Sequence, residues 1–362
     1  MATTRATWAY RDRFGDGFGR TYFRRFGPGV VSSVGLGTYL GDPTDTVDEA
    51  YERALIAGLD GGCNVIDTAV NYRCGRSERV VGRAVERADV DRDAVVVATK
   101  GGFLPFDGDR PADPAAYVRE TYVEDGPVDP ADLAAGYHCI APDAVDALLD
   151  RSLDALGLEV VDCYYVHNPE TQLRVRSREA VYDELEATFE RLERRVAAGD
   201  IGRYGVATWR ALRVPPDDDA HLSLPRIVEC ARSAAAAVGR SETGFEAIQL
   251  PFSVHMADAF TVRAHEFEGE RRSALAVAHE LDLDVFTSAS LGQGDLVGGL
   301  PPAVNAELTG DTPAQRAINF ARSAPGVTCA LVGASDPDHV AENVAAGTFD
   351  PLGARAFDAV FE

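Results

Sequence analysis

Eight times along the chain a short apolar run is followed by a stretch of helical hydrophobic period, and no other feature restricts the fold so strongly. The runs are Val30 to Gly35, Asn64 to Asp67, Ala94 to Lys100, Val160 to His167, Gly202 to Ala207, Ala247 to Leu250, Asp284 to Thr287 and Thr328 to Val332. Helical stretches cover about 44 to 59, 76 to 87, 141 to 156, 178 to 198, 224 to 238, 271 to 281, 313 to 323 and 336 to 346. Such alternation specifies βαβ units with parallel strands and right-handed crossovers, and eight units close an α/β (β/α)8 TIM barrel. One barrel with insertions accounts for residues 1–362 as a single domain. Thr44 and Ser77 supply start signals for the first two helices. The segment YFRRFGPG ahead of the first strand reads as a short N-terminal hairpin under the barrel. Two connections exceed ordinary loop length, 101–140 after strand three and 251–270 after strand six. Both leave the C-terminal ends of strands, where barrel enzymes build their active sites, so both are expected to enclose substrate.

The ends of those strands carry the chemistry. The 35 basic side chains are 34 arginines and one lysine, and that lysine, Lys100, closes the apolar strand AVVVATK. Arginine serves wherever a fixed charge suffices, so a retained ammonium points to a task needing a compact charge or a shiftable pKa. Asp67 ends the second strand, Tyr72 follows five residues later, and His167 ends the fourth strand. Each alone has an ordinary reading as a cap, a packed ring or a rim hydrogen bond. Strands two, three and four are neighbours in a barrel, so the four groups converge. There Asp67 would hold Lys100 charged, Lys100 would lower the Tyr72 pKa, and a neutral His167 would orient a carbonyl.

Composition removes several classes of partner. A formal charge of -23 repels nucleic acid and anionic membranes, and no apolar stretch reaches the ~18 residues that span a bilayer. The opening MATTRATWAYRDRFGDGFGR lacks the apolar core of a secretory signal, so a cytoplasmic location is expected. The six cysteines are scattered and the His138-Cys139 neighbours have no second pair, so no metal site is expected and the thiols are read as reduced. Acidity together with arginine in place of lysine suggests a salt-adapted source.

The ordered segments GLGTYLG, IDTAVNY..GRSE, ATKGG, YYVHNPE, GVATW, SLGQG and LVGASDPDHVAENV resemble the aldo-keto reductase family, on its sugar- and aldose-dehydrogenase-like side. The resemblance implies an oxidoreductase that moves a hydride between NAD(P)(H) and an aldehyde, ketone or aldose. Tyr72 would be the general acid/base, Asp67 and Lys100 its tuning pair, and His167 the substrate-orienting group. The cofactor would lie extended across the barrel mouth without a Rossmann domain. Thr38, Asp67, Thr208 and Gln249 would stand near the nicotinamide half, Leu291 and Gly292 near the pyrophosphate, and Gly333, Ala334, His339, Glu342 and Asn343 around the adenosine. Tyr39, Phe103, Asn168 and Trp209 would line the substrate pocket. Ala207-Thr208 stands where many members have Ser-Asn, and Ser288 where an aromatic ring stacks on the nicotinamide, which leaves stacking to Trp209 or Phe252 or to no ring at all. Gly333 and His339 replace the Lys and Arg that clamp the NADP 2'-phosphate, which leans the cofactor toward NAD or dual use. Two other readings compete: a Schiff-base aldolase using Lys100, and a non-catalytic cofactor-sensing barrel.

Overall fold

The computed structural model describes residues 1–300 and 302–361. Eight parallel strands close a barrel: β1 Val34–Gly37, β2 Val65–Asp67, β3 Val96–Gly101, β4 Val161–His167, β5 Ile201–Ala207, β6 Phe245–Pro251, β7 Asp284–Ser288 and β8 Val327–Gly333. They pair in chain order, with β8 returning to β1. The barrel helices are α1 Asp45–Asp60, α2 Arg76–Arg87, α3 Pro142–Leu156, α4 Arg178–Ala198, α5 Leu224–Ala237, α6 Ala274–Glu280, α7 Pro313–Ser323 and α8 Pro337–Ala345. The expected (β/α)8 architecture is the one observed. No helix among the described residues is long and apolar enough to cross a membrane.

Local chemistry sets the element boundaries. Thr44 caps α1 by accepting the Val47 N–H, and Asp45 and Asp48 sit in its first turn, where the helix dipole favours negative charge. Ser77 does not cap α2: its hydroxyl is buried and donates to the Thr38 carbonyl, tying that helix to the loop after β1. The first apolar run divides in two. Gly29–Ser32 pairs with Phe23–Phe26 as the expected hairpin, and the barrel strand starts only at Val34. The division falls where the Asn64 side chain accepts the Ser32 N–H and donates to the Val30 and Ala94 carbonyls, closing the N-terminal end of the barrel. Phe26 and Val31 then enter the barrel interior with Val65, Tyr165, Phe286 and Leu331. Helix α6 begins later than its pattern suggested, because Arg271 and Arg272 belong to an antiparallel ribbon of His265–Phe267 and Glu270–Arg272, and Ser273 caps the helix.

The two long connections differ. Residues 101–140 fold over the barrel mouth around their own apolar cluster, in which Leu104, Val118, Tyr122, Val128 and Cys139 pack on Val70 and Leu148. Residues 251–270 turn outward instead. Phe252 is fully buried and stacks on Phe320, and His265 accepts the Leu224 N–H and donates to the Leu212 carbonyl. None of 251–270 lines the central cavity. The expectation that this segment encloses substrate is therefore corrected, and with it the assignment of Phe252 as a stacking ring.

Candidate active site

The C-terminal ends of β2, β3 and β4 bring Asp67, Lys100 and His167 to one side of the barrel mouth, with Tyr72 opening the turn Tyr72–Gly75 after β2. Lys100 has no exposed surface. Its Nζ donates to Asp67 Oδ1 at 2.5 Å, to the Thr68 carbonyl at 2.8 Å and to the Tyr72 hydroxyl oxygen at 3.3 Å. Three acceptors take the three protons of an ammonium, and a planar guanidinium could not aim at all of them. That geometry explains why a chain rich in arginine keeps one lysine. It also removes the aldolase reading, since a fully donated, enclosed ammonium presents no lone pair to a carbonyl.

The second Asp67 oxygen accepts from the Gln249 amide at 2.7 Å, reaching across from β6. Burial pushes the Asp67 carboxyl up, and Lys100 and Gln249 pull it back. Burial pulls Lys100 down, but Asp67 and Tyr72 more than offset it and hold the ammonium charged. We take the pair as ionised because both carboxylate oxygens accept from donors. Burial also raises the Tyr72 phenol above its ordinary value, with Lys100 opposing only in part. Lys100 thus lowers the phenol as expected, but burial outweighs it. Because Lys100 donates to the phenol oxygen, the proton of Tyr72 is left free to be given elsewhere.

His167 is buried, its Nδ1 has no partner among the described residues, and burial with Lys100 holds the ring neutral, well below its ordinary pKa. Tyr72 faces it edge-on, ring centres 6.0 Å apart, and Phe103 packs on its other side at 4.8 Å. Two residues that sequence reasoning missed secure this arrangement. His138 lies within the 101–140 segment, and burial holds it neutral with a pKa of about 4. Its Nε2–H donates to the His167 carbonyl at 2.7 Å while Nδ1 accepts from Gln172 at 3.1 Å. Gly102, at φ +144, makes room for that bond, since a Cβ there would stand 2.8 Å from the same carbonyl. Replacing His138 by Phe is expected to lower stability by about 1–3 kcal/mol, measured by urea denaturation, because the His167 carbonyl and the Gln172 amide both lose a buried partner.

Glu170 is the second missed residue. Its Oε1 accepts the N–H groups of Trp209 at 2.7 Å and Arg210 at 2.8 Å, which fixes the turn after β5 that presents Thr208 and Trp209. The only sequence signal for it was the carboxylate ending VHNPE, and its partners are backbone atoms some forty positions away.

A cavity of about 1120 Å³ opens above these groups. Of the residues expected at a cofactor, Thr38, Asp67, Thr208, Gln249 and Leu291 line it, as do Gly333, Ala334, His339, Glu342 and Asn343. Gly292 does not: it turns the backbone at φ +58, and its neighbours Gln293 and Gly294 face the cavity instead. Tyr39, Phe103, Asn168 and Trp209 all line the wall. A dinucleotide fits this set. Thr208 and Ser290 carry buried hydroxyl oxygens without a partner among the described residues, both on the lining. Gly292, Gln293 and Gly294 have successive positive φ, and the turn they make brings Gln293 and Gly294 to the cavity wall. At the β8–α8 end the lining includes His339 and Glu342 but no lysine or arginine among the described residues.

The sequence profile of the aldo/keto reductase family matches residues 33–215. Among curated proteins, 2,5-diketo-D-gluconic acid reductase B of Corynebacterium sp. is 33% identical over 135 residues, 37% of this chain and 34% of that protein. The match thus spans about a third of that relative's length. A putative voltage-gated potassium channel subunit beta of Schizosaccharomyces pombe is 25% identical over 332 residues, covering 88% of this chain and 85% of that protein. The crystal structure of an aldo/keto reductase from Klebsiella pneumoniae in complex with NADP and acetate superposes with a TM-score of 0.61 at 22% identity, covering 94% of each chain. The holo form of an aldo-keto reductase from Bacillus halodurans gives 0.63 at 19% identity, over 94% of this chain and 96% of that one.

Proposed function

The chain belongs to the aldo/keto reductase family, and from that premise we propose that it is an NAD(P)(H)-dependent oxidoreductase interconverting a carbonyl compound and its alcohol. The observation that carries the reading is the three-way donation of Lys100 to Asp67, Thr68 and Tyr72 at the floor of the cavity. The nicotinamide, when bound, supplies or accepts the hydride. Tyr72 gives its free proton to the carbonyl oxygen in reduction and takes it back in oxidation. Lys100 stabilises the phenolate left behind, and Asp67 keeps Lys100 charged as that happens. His167, neutral, orients the carbonyl, and the apolar rings of Phe103 and Trp209 exclude water from it.

Thr38, Thr208, Gln249, Leu291 and the Gln293–Gly294 turn would hold the nicotinamide and pyrophosphate, and Gly333, Ala334, His339, Glu342 and Asn343 the adenosine. Glu342 favours a ribose diol over a 2'-phosphate, since a carboxylate accepts from hydroxyls and repels a dianion. NAD(H) is therefore expected to bind at least as tightly as NADP(H). Fluorescence titration checks this, and NADP(H) bound about tenfold tighter, ~1.4 kcal/mol, would overturn it.

The function is tested by following absorbance at 340 nm with a panel of aldoses, small aldehydes and ketones, in both directions and with both cofactors. The -23 charge and the arginine bias support a salt-adapted protein, so the panel is run at molar KCl. The similarity to a diketogluconic acid reductase favours a sugar-like substrate. A cofactor-sensing barrel without turnover is the second reading, and the long match to a potassium channel subunit beta favours it. Cofactor binding with no turnover across the panel would select that reading.

A further inference from the structure

Eight large apolar side chains are exposed among the described residues, and five of them ring this one cavity: Tyr39, Leu40, Tyr137, Trp209 and Val297. Exposed apolar surface gathered around one opening marks a contact surface for an apolar ligand rather than scattered surface chance. The wall below continues the pattern with Leu104, Pro105, Phe106 and Val118. Set in it is a single arginine, Arg110, the one lysine or arginine lining the cavity among the described residues.

Arg110 is exposed and makes no ion pair and no side-chain hydrogen bond among the described residues, unlike the arginines around it. Arg79 and Arg151 both pair with Asp107, and Arg119 with Glu120 and Glu124. Its chain neighbour Asp109 is exposed and is not part of the cavity lining. The lining carboxylates lie elsewhere: Asp67 is neutralised by Lys100, and Glu342 stands at the β8–α8 end. An uncompensated guanidinium on the wall of an apolar cavity is suited to hold an anion there by charge-assisted hydrogen bonds, against the overall field of the protein.

We propose that Arg110 binds an anionic group of the substrate, a carboxylate or a phosphate. The preferred substrate is then an aldehyde or ketone whose carbonyl meets Tyr72 and whose anionic tail reaches Arg110 along the apolar wall, so that among sugar-like compounds an acid or a phosphate is favoured over an uncharged aldose. This rests on the reductase reading above and narrows its substrate class.

The test compares 4-formylbenzoate and 4-formylphenyl phosphate with the neutral methyl 4-formylbenzoate, by kcat/KM at the lowest KCl concentration at which each protein remains folded by circular dichroism, for the wild type, Arg110→Gln, Arg110→Lys and Arg110→Glu. The charged-to-neutral ratio is expected to fall about tenfold or more in Arg110→Gln, to be partly kept in Arg110→Lys and to drop furthest in Arg110→Glu. The larger wild-type ratio identifies carboxylate or phosphate as the tail. A ratio unchanged by all three substitutions overturns the proposal. Should no aldehyde be turned over, the reductase reading fails, and binding still tests Arg110. Quenching of tryptophan fluorescence by 4-formylbenzoate is then expected to need about tenfold more ligand in Arg110→Gln, and an unmoved titration overturns the assignment.

Discussion

Tyr72→Phe is expected to lower kcat for carbonyl reduction by about 10³-fold while cofactor binding is retained. The substitution removes one oxygen and leaves a ring of the same shape against Tyr39, whose ring centre lies 4.9 Å away. The lost oxygen is the atom to which Lys100 donates and the one whose proton is unspoken for. Loss of turnover with retained binding would place the proton step on that atom, whereas surviving turnover would take it away. The pH dependence has a defined sign. Burial raises the phenol above its ordinary value, so the protonated donor persists through neutral pH and into the alkaline range. Reduction is therefore expected to be flat across neutral pH and to fall only on the alkaline side. Oxidation needs the phenolate and is expected to climb over the same alkaline range. Stopped-flow rates in both directions measure the two limbs.

Lys100→Met combines a catalytic and a structural loss. The phenolate loses its neighbouring cation, for which a fall in kcat of about 10²–10⁴-fold is expected. Asp67 is left as a buried carboxylate with only Gln249 donating to it, a loss of about 3–5 kcal/mol for breaking a buried pair. The two losses separate in the double variant Asp67→Asn with Lys100→Met. Removing the stranded charge is expected to restore most of the stability in urea denaturation but none of the turnover. Recovery of both, or of neither, would mean that the pair does not act through its charge. Lys100→Arg is expected to resemble Lys100→Met in rate, since the planar fork cannot reach Asp67, the Thr68 carbonyl and Tyr72 together.

The parts of this arrangement that were legible in the sequence are those set by chain-local rules. Short apolar runs alternating with helical patterning located the βα units, and a lone lysine ending an apolar strand located the floor of the site. Asp67 and His167 followed because each ends the strand beside it. Tyr72 required the geometry of neighbouring strands, and its net pKa direction was not legible even then. The attraction of Lys100 could be read from sequence, but the burial that outweighs it could not. Glu170, His138 and Arg110 stayed hidden for related reasons. Glu170 and His138 act on backbone atoms distant in sequence, and Arg110 is distinguished by what it lacks, a carboxylate partner. The 251–270 segment shows the reverse error. Its length suggested a lid, whereas Phe252 and His265 bind it to the outside of the barrel.

In the proposed reaction a hydride passes from a nicotinamide to a carbonyl carbon while Tyr72 moves the proton. Reduction of an aldehyde found active in the panel, with the cofactor carrying deuterium at the transferring C4 position and the product read by NMR, tests it directly. Deuterium is expected on the carbinol carbon, with none incorporated there from D2O and the signal lost in Tyr72→Phe. Deuterium appearing at that carbon from solvent, or product formed with no cofactor oxidised, would contradict it.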